Sequence, residues 1–154
     1  MNATRRTVLI AGALSAITAL SFSSAVFAAS DLVEVQSLNA ANKPITVAVP
    51  KNPQRVAVAD FSVLDTLDHW GLGERIVALP QTTALPYLPQ YFKKSKKVTN
   101  LGTLKEIDLE GLMAAEPDVI FISGRLAKKY DELSKIAPVV FMTADHEKGT
   151  FKSF

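Results

Sequence analysis

The stretch from Asp118 to Met142 decides the fold, and it reads DVIFISGRLAKKYDELSKIAPVVFM. Its two ends, 118–122 and 138–142, are apolar runs rich in β-branched and aromatic residues, which predict buried parallel strands. Between them, apolar side chains recur at helical spacing and predict a helix. The apolar stripe of this helix consists of Leu126, Tyr130, Leu133 and Ile136. A strand, a helix and a second strand in this order predict a βαβ unit.

Arg125 stands where the first strand of this unit passes into its helix. In open α/β sheets, ligands bind at the loops that follow the carboxyl ends of the strands, and a helix N-terminus at such a loop favours anions. A guanidinium group stays protonated in proteins and donates several hydrogen bonds. The sequence therefore predicts an anion-binding mouth at this edge of the sheet, with Arg125 in it.

The rest of the chain also alternates between strand and helix. Further strands are expected over 55–59, 75–79 and 98–101, and helices over 60–70, 87–94 and 108–115. This order predicts the α/β class, with a mostly parallel sheet and helices on both faces. Two segments of alternating polarity, 32–38 and 45–49, predict an N-terminal β-hairpin added at an edge.

Polar residues mark the predicted starts of the helices. Ser62, with Asp65 three residues later, fits a capping box at the start of the helix over 60–70. Asp108 is expected to cap the helix that follows it. The two large aromatic residues of the first helical segment, Phe61 and Trp70, are assigned to the core.

The first residues have the organisation of an export signal. Two arginines form a positive start, residues 7–30 carry no charge, and Val26 and Ala28 supply a small-residue cleavage pattern. We therefore predict a secretory signal peptide over residues 1–28. Two alternatives stay open. The uncharged run is long enough to be a transmembrane anchor, and the paired arginines also resemble a twin-arginine export signal.

Composition narrows the possible functions. The chain has 154 residues, enough for one ordinary domain, and no cysteine, so neither disulfides nor a lipid-attachment cysteine are expected. The chain has 17 basic and 15 acidic side chains, and the numbers become equal once the two leader arginines are removed. A neutral chain gives no support to nucleic-acid binding through bulk charge. We expect a soluble periplasmic monomer that is not a lipoprotein.

Short motifs along the chain resemble those of one family. They occupy residues 50–58, 64–67, 71–77, 102–106, 108–110, 116–120 and 122–125. In this order they resemble the substrate-binding proteins of ABC importers for ferric siderophores, the iron-siderophore and vitamin B12 periplasmic binding protein family. The Ile-Ser-Gly-Arg run and the segment 130–138 are closest to the catecholate-siderophore subgroup. The resemblance extends from about Lys43 to Met142.

The resemblance implies a protein with two α/β lobes that are joined by a long helix and close on the ligand. Residues 29–154 are then the N-terminal lobe, truncated before the linker helix and the second lobe. The implied function is to bind a ferric siderophore complex of catecholate type in the periplasm and to deliver it to an inner-membrane ABC permease for iron uptake. Neither enzymatic activity nor a covalent cofactor is implied, because the ferric complex is the ligand.

Four residues are candidates for contacts with these partners. The resemblance places Arg125 on the anionic ferric complex. Lys128, three residues along the same helix face, and Lys105, in another strand-end turn, are expected to add positive charge at the mouth. Glu110 matches a glutamate that docks on permease arginines in the relatives that bind vitamin B12. Each has an ordinary alternative: a surface ion pair for Arg125, solvated lysines, and an exposed first-turn glutamate favoured by the helix dipole.

Two other classes of function stay open. An exported α/β hydrolase could use the same mouth for an anionic substrate, although no activated nucleophile or general base can be named near Arg125. The other class is a binder of Mn²⁺, Zn²⁺ or haem. The two histidines, His69 and His146, have no second ligand at metal-binding spacing, so no direct metal site is predicted.

Overall fold

A computed structural model of the chain describes residues 31–93 and 98–142. The predicted signal peptide over 1–28 and the tail that carries His146 lie outside these residues. The described strands are β1 (Leu32–Leu38), β2 (Pro44–Pro50), β3 (Val56–Val58), β4 (Ile76–Leu79), β5 (Thr99–Asn100), β6 (Val119–Ile122) and β7 (Val139–Phe141). The α-helices are α1 (Phe61–His69), α2 (Leu109–Ala114) and α3 (Tyr130–Leu133). Short 3-10 helices cover Gly73–Arg75, Pro89–Tyr91 and Gly124–Lys129.

In the described residues, the central sheet has five parallel strands in the order β5-β4-β3-β6-β7. This confirms the predicted α/β class. The chain moves from β3 outward through β4 to β5, and then returns to the other side of β3 with β6 and β7. The strand order therefore reverses between β3 and β6. In open α/β sheets, that reversal opens a crevice at the carboxyl ends of the two strands.

Helices cover both faces of the sheet, as predicted. Val56 and Val58 of β3 belong to a buried cluster that also contains Leu64 of α1. Ala57, between them, belongs to the opposite cluster, which contains Leu112 of α2. Because successive side chains of a strand point to opposite faces, β3 is buried on both sides. Its three residues are at most 2% exposed.

The helix predicted between β6 and β7 is present in a different form. It is a 3-10 helix over Gly124–Lys129 and an α-helix only over Tyr130–Leu133. A 3-10 helix rises about 2.0 Å per residue against about 1.5 Å for an α-helix, so it covers the sheet with fewer residues. The predicted apolar stripe is confirmed: Leu126 and Leu133 are buried, and Tyr130 and Ile136 pack against the same cluster.

The two longer helices are capped by aspartates. Asp60 caps α1, because its carboxylate accepts a hydrogen bond from the Ser62 amide at 2.8 Å and another from the Ser62 hydroxyl. The predicted capping box that starts at Ser62 is therefore wrong, since Ser62 lies inside the helix. Asp108 caps α2 as predicted, with its carboxylate accepting from the Gly111 amide at 3.0 Å.

The assignment of Trp70 to the core is wrong. Trp70 follows the last residue of α1, where its amide still donates to Thr66 O, and its side chain is 66% exposed. Trp70 is the C-cap residue of α1, with a φ of −83° and a ψ of 3°, so the chain leaves the helix there and the indole is exposed. Phe61, at the other end of α1, is half-buried against the cluster that contains Leu64.

The start of β3 is bonded to the start of β6. The Asp118 carboxylate accepts hydrogen bonds from the amides of Gln54 at 2.8 Å and Arg55 at 2.9 Å, and the Asp118 amide donates to Arg55 O at 2.7 Å. The Arg55 guanidinium donates to the Ala115 carbonyl at the end of α2. These bonds fix the register of β3 and β6, the two strands between which the strand order reverses.

The predicted N-terminal hairpin is present beside the edge strand β7. Strands β1 and β2 pair antiparallel from Leu32 opposite Pro50 to Leu38 opposite Pro44, as a sheet of their own. The hairpin meets β7 through Ser37, whose buried hydroxyl accepts a hydrogen bond from the Phe141 amide at 2.9 Å. Within the described ranges, no helix has both the length and the apolar character needed to cross a membrane.

Candidate functional site

The loops that follow β3, β4, β5 and β6 enclose a cavity of about 430 Å³, here called the carboxyl-edge cavity. Its lining residues are Phe61, Pro80, Thr82, Thr83, Gly102, Thr103, Leu104, Lys105, Glu106 and Arg125. Residues that are far apart in the sequence meet here because parallel strands end at the same edge of the sheet. The cavity includes the crevice between β3 and β6, where ligands of open α/β sheets bind.

Arg125 and Lys105 bring two positive charges to this cavity. Arg125 follows β6 and Lys105 follows β5, and both side chains are exposed. In the part of the chain that the structure describes, neither cation forms an ion pair. Glu132, one possible partner of Arg125, instead binds the Lys129 ammonium group at 2.9 Å. Both cations are therefore available to an anion that enters the cavity.

The loop that carries Lys105 is held by a small network of hydrogen bonds. The Thr103 hydroxyl accepts from the amides of Glu106 at 2.8 Å and Lys105 at 3.2 Å. The Gly102 amide donates to the Asn100 side chain at 2.9 Å, and Gly102 has a φ of 81°, which favours glycine. Thr103 therefore orders the turn as well as lining the cavity.

The other candidate residues lie outside the lining of the cavity. Lys128 is exposed one turn beyond Arg125, on the same side of the 3-10 helix because such a helix repeats every three residues. Glu110 is exposed in the first turn of α2. The structure thus brings Arg125 and Lys105 together, and places Lys128 and Glu110 on the surface.

Phe61 forms an apolar wall of the cavity together with Pro80 and Leu104. Its ring makes an edge-to-face contact with Phe92, with ring centroids 5.8 Å apart and an interplanar angle of 83°. Phe61 was assigned to the core from the sequence, and its place in the cavity was not predicted. The useful signal was its position: Phe61 follows the end of β3 just as Arg125 follows the end of β6.

Glu106 is a lining residue that sequence reasoning also missed. Its side chain is exposed and adds a carboxylate to the carboxyl-edge cavity, next in sequence to Lys105. A carboxylate opposes the binding of an anion, whereas the two cations favour it. The cavity therefore has a net positive charge from its three ionised side chains.

A second cavity, of about 360 Å³, lies near the start of β4 and is here called the amino-edge cavity. Its lining includes Asp68, Gly73 and Tyr91. The Tyr91 hydroxyl donates to the Asp68 carboxylate at 2.6 Å, and burial together with this contact raises the pKa of Tyr91. A Cβ atom on Gly73 would clash with the Tyr91 hydroxyl oxygen. The Asp68 carboxylate makes this second cavity a poor place for an anion.

The structure also bears on metal binding and catalysis. Among residues 31–93 and 98–142, no group of three or more histidine, cysteine, aspartate or glutamate side chains could hold a metal ion. Ser123, beside Gly124 at the end of β6, has a buried hydroxyl oxygen without a hydrogen-bond partner in this part of the chain. A serine nucleophile needs a base within hydrogen-bonding distance, and Ser123 has none there.

Several known proteins are similar to this chain. A sequence profile of the family described as periplasmic binding protein matches residues 56–153. The petrobactin-binding protein YclQ of Bacillus subtilis (strain 168) is 42% identical over 107 residues, which are 68% of this chain and 33% of YclQ. The crystal structure of YclQ matches with a TM-score of 0.67 and 37% identity, over 75% of this chain and 40% of that one. The catecholate-siderophore binding protein VctP of Vibrio cholerae matches with a TM-score of 0.58 and 32% identity, over 75% and 39%.

The chain spans about a third of the length of the curated relatives it matches, and about 40% of the solved structures. The match to the family profile begins at Val56, the first residue of β3. It therefore includes the whole five-stranded sheet and every residue that lines the carboxyl-edge cavity.

Proposed function

The chain belongs to the periplasmic binding protein family, and from this premise we propose that it binds a ferric siderophore complex of catecholate type in the carboxyl-edge cavity. The complex is then passed to an inner-membrane ABC permease for iron uptake. The family expected from the sequence motifs is confirmed by the profile match. Two similar proteins are named for petrobactin and for catecholate siderophores, which supports the ligand class.

The main support for the proposal is that two cations without an ion-pair partner in the described residues line the same cavity. Fe(III) held by catecholate oxygens is a negatively charged complex, and Arg125 and Lys105 are the cations that line the cavity. A unit charge pair at 4 Å is worth about 1 kcal/mol in water and about 4 kcal/mol at an effective dielectric constant near 20. Lys128, one turn outside the cavity, adds to the attraction that an approaching anion experiences.

Glu110 is the proposed contact with the permease. Its carboxylate is exposed in the first turn of α2, where the helix dipole also favours a negative charge. An exposed glutamate that forms no ion pair in the described part of the chain is available to an arginine of a partner protein. Glu110 lies outside the cavity lining, so ligand binding and docking use different side chains.

The family assignment places the protein outside the cytoplasm. The proposed route is export by a signal peptide over residues 1–28, which is removed to release residues 29–154 into the periplasm. There the released chain, as a monomer, forms the N-terminal lobe of a binding protein.

A binding protein explains the site better than a hydrolase does. The relatives and the family are solute-binding proteins. Ser123, at the end of β6, has an oxygen with no hydrogen-bond partner in the described residues, so no base activates it there. The cavity thus has groups that attract and hold an anion but no identified nucleophile.

The proposal is tested by equilibrium dialysis of the chain against the Fe(III) complex of 2,3-dihydroxybenzoate, with the bound complex measured by its visible absorbance. Arg125→Gln and Lys105→Gln should each weaken binding about fivefold, because each removes one charge-assisted contact. Lys135→Gln is the matched control, since Lys135 is an exposed lysine beyond α3.

Two results would contradict the proposal: no saturable binding up to millimolar concentration, or an equal loss of affinity in the Lys135 variant. Dialysis suits this chain better than Trp70 fluorescence. Trp70 lies past the far end of α1, a helix of 9 residues, which places it roughly 13 Å along the helix from Phe61.

A further inference from the structure

Phe61 and Arg125 lie at the ends of neighbouring strands, and the chain leaves those two strands toward opposite faces of the sheet. After β3, α1 packs with Val63 and Leu64 on one face. After β6, the next helical segment packs with Leu126 on the other face. The first residues of the two segments are thus separated by the crevice where the strand order reverses. Both side chains line the same cavity.

The ring of Phe61 is held in place from two directions. Its backbone begins α1 directly after the Asp60 cap, and its ring meets Phe92 at an interplanar angle of 83°. The ring also packs against the buried cluster of that face. The side chain is half-buried, so the part that the core does not cover contributes to the cavity wall. Such a ring loses little conformational freedom when a ligand packs on it.

A catecholate group suits a cavity that combines an aromatic wall with cations. It is a flat aromatic ring with two oxygen atoms on one edge, which bind the iron and carry the negative charge. The cations Arg125 and Lys105 can attract the anionic edge while Phe61 contacts the ring. Aromatic rings attract each other beyond the effect of the area they bury. An anionic ferric complex without aromatic rings can use only the cations.

We infer that Phe61 is a specificity-determining residue, which makes the cavity prefer ferric complexes with aromatic iron-binding groups over anionic ferric complexes without them. This inference rests on the proposed function. The expected preference is about two- to tenfold in affinity, which corresponds to the strength of an aromatic pair.

The test compares two probes, the Fe(III) complex of 2,3-dihydroxybenzoate and the Fe(III) complex of citrate, which is anionic but has no aromatic ring. Phe61→Leu should weaken binding of the first probe about two- to tenfold and leave binding of the second nearly unchanged. Phe61→Tyr keeps an aromatic ring and should retain the preference. Tyr87→Leu is the control, because Tyr87 is an exposed aromatic residue outside the cavity lining.

The outcomes separate this inference from the proposed function. If the unmodified chain binds neither probe, the proposed function and the inference about Phe61 are both contradicted. If it binds the aromatic probe but Phe61→Leu has no effect, or weakens both probes equally, the inference alone is overturned. Thermal unfolding of each variant shows whether it is folded. Phe61→Met serves as a second non-aromatic variant should the leucine variant fail to fold.

Discussion

Glu106 shares the carboxyl-edge cavity with Arg125 and Lys105. Its carboxylate lowers the attraction of the cavity for an anion, yet it forms no ion pair within the described residues that would neutralise it. Charges at exposed positions interact through water and are screened by salt. Glu106 should therefore reduce affinity for the most highly charged complexes, and reduce it most at low ionic strength.

Glu106→Gln should strengthen binding of the Fe(III) complex of 2,3-dihydroxybenzoate about two- to fivefold at low salt, because it removes one negative charge from the cavity. The gain should shrink at high salt as the charges are screened. Dialysis at two ionic strengths measures both effects. Glu34→Gln, at an exposed position on β1, is the matched control. Weaker binding by Glu106→Gln would instead mean that Glu106 contacts the ligand favourably.

Tyr91 links stability to pH at the other end of the sheet. It is 7% exposed, and burial, followed by the hydrogen bond and charge of Asp68, raises its pKa above the ordinary value. The unfolded chain loses the phenol proton near about pH 10, whereas the folded chain keeps it to higher pH. The stabilisation is thus complete below about pH 10 and is lost as the pH rises toward the folded-state pKa.

The free energy of unfolding should accordingly fall more steeply above about pH 10 in the unmodified chain than in Tyr91→Phe, which has no phenol proton at that position. Urea titrations at a series of pH values measure this difference. Tyr87→Phe is the control, because Tyr87 is 64% exposed. Parallel curves for the unmodified chain and Tyr91→Phe would show that Tyr91 titrates equally in the folded and unfolded states.

Strands β3 and β4 were predictable because they are short, apolar and largely buried. The predicted 75–79 is observed as Ile76–Leu79, and 55–59 as Val56–Val58. Helix ends were less predictable, because a cap depends on local geometry. Asp60 and Ser62 are both good caps by type. Only the structure shows that the Asp60 carboxylate reaches the Ser62 amide.

The site was predictable in part. The positions of Arg125 and Lys105 after strands indicated one edge of the sheet, because all parallel strands end there. That Phe61 and Arg125 line one cavity depends on β3 pairing with β6, more than 60 residues later in the sequence. The position of Phe61 after a predicted strand indicated the edge of the sheet, but periodicity within a segment carries no information about which strands are neighbours.

The packing of the 3-10 helix Gly73–Arg75 against the 3-10 helix Pro89–Tyr91 can be tested by a substitution. A Cβ atom on Gly73 would lie far closer to the Tyr91 hydroxyl oxygen than van der Waals contact allows. Gly73→Ala should therefore destabilise the fold by about 1–3 kcal/mol, as overpacking does. Urea unfolding measures the change. Gly124→Ala is the matched control, because a Cβ atom there meets no atom within 4 Å.

A double variant shows whether the Tyr91 hydroxyl causes the destabilisation by Gly73→Ala. Tyr91→Phe removes the oxygen that the new methyl group would strike, so Gly73→Ala should cost less in that background than in the unmodified chain. Equal costs in the two backgrounds would show that the clash is relieved elsewhere, for example by movement of the turn that contains Gly73.

The affinity of this chain for a ferric siderophore complex is expected to be low. It spans about a third of its curated relatives, and the family resemblance implies that a second lobe supplies part of the contacts. A nanomolar complex is worth about −12 kcal/mol, and half of that corresponds to about 30 µM or weaker, since the cost of immobilising the ligand is not halved. Dialysis of the 154-residue chain measures this directly, and nanomolar affinity would contradict the expectation.

The contact between Ser37 and Phe141 has a consequence for solubility. Among the described residues, strand β7 forms an edge of the sheet, and its outward amide at Phe141 is bonded to the Ser37 hydroxyl. An open sheet edge is a template on which another chain can add a strand, the first step of aggregation. By occupying that amide, the hairpin should hinder the addition of a strand from another chain at this edge. Ser37 is thus expected to help keep separate copies apart.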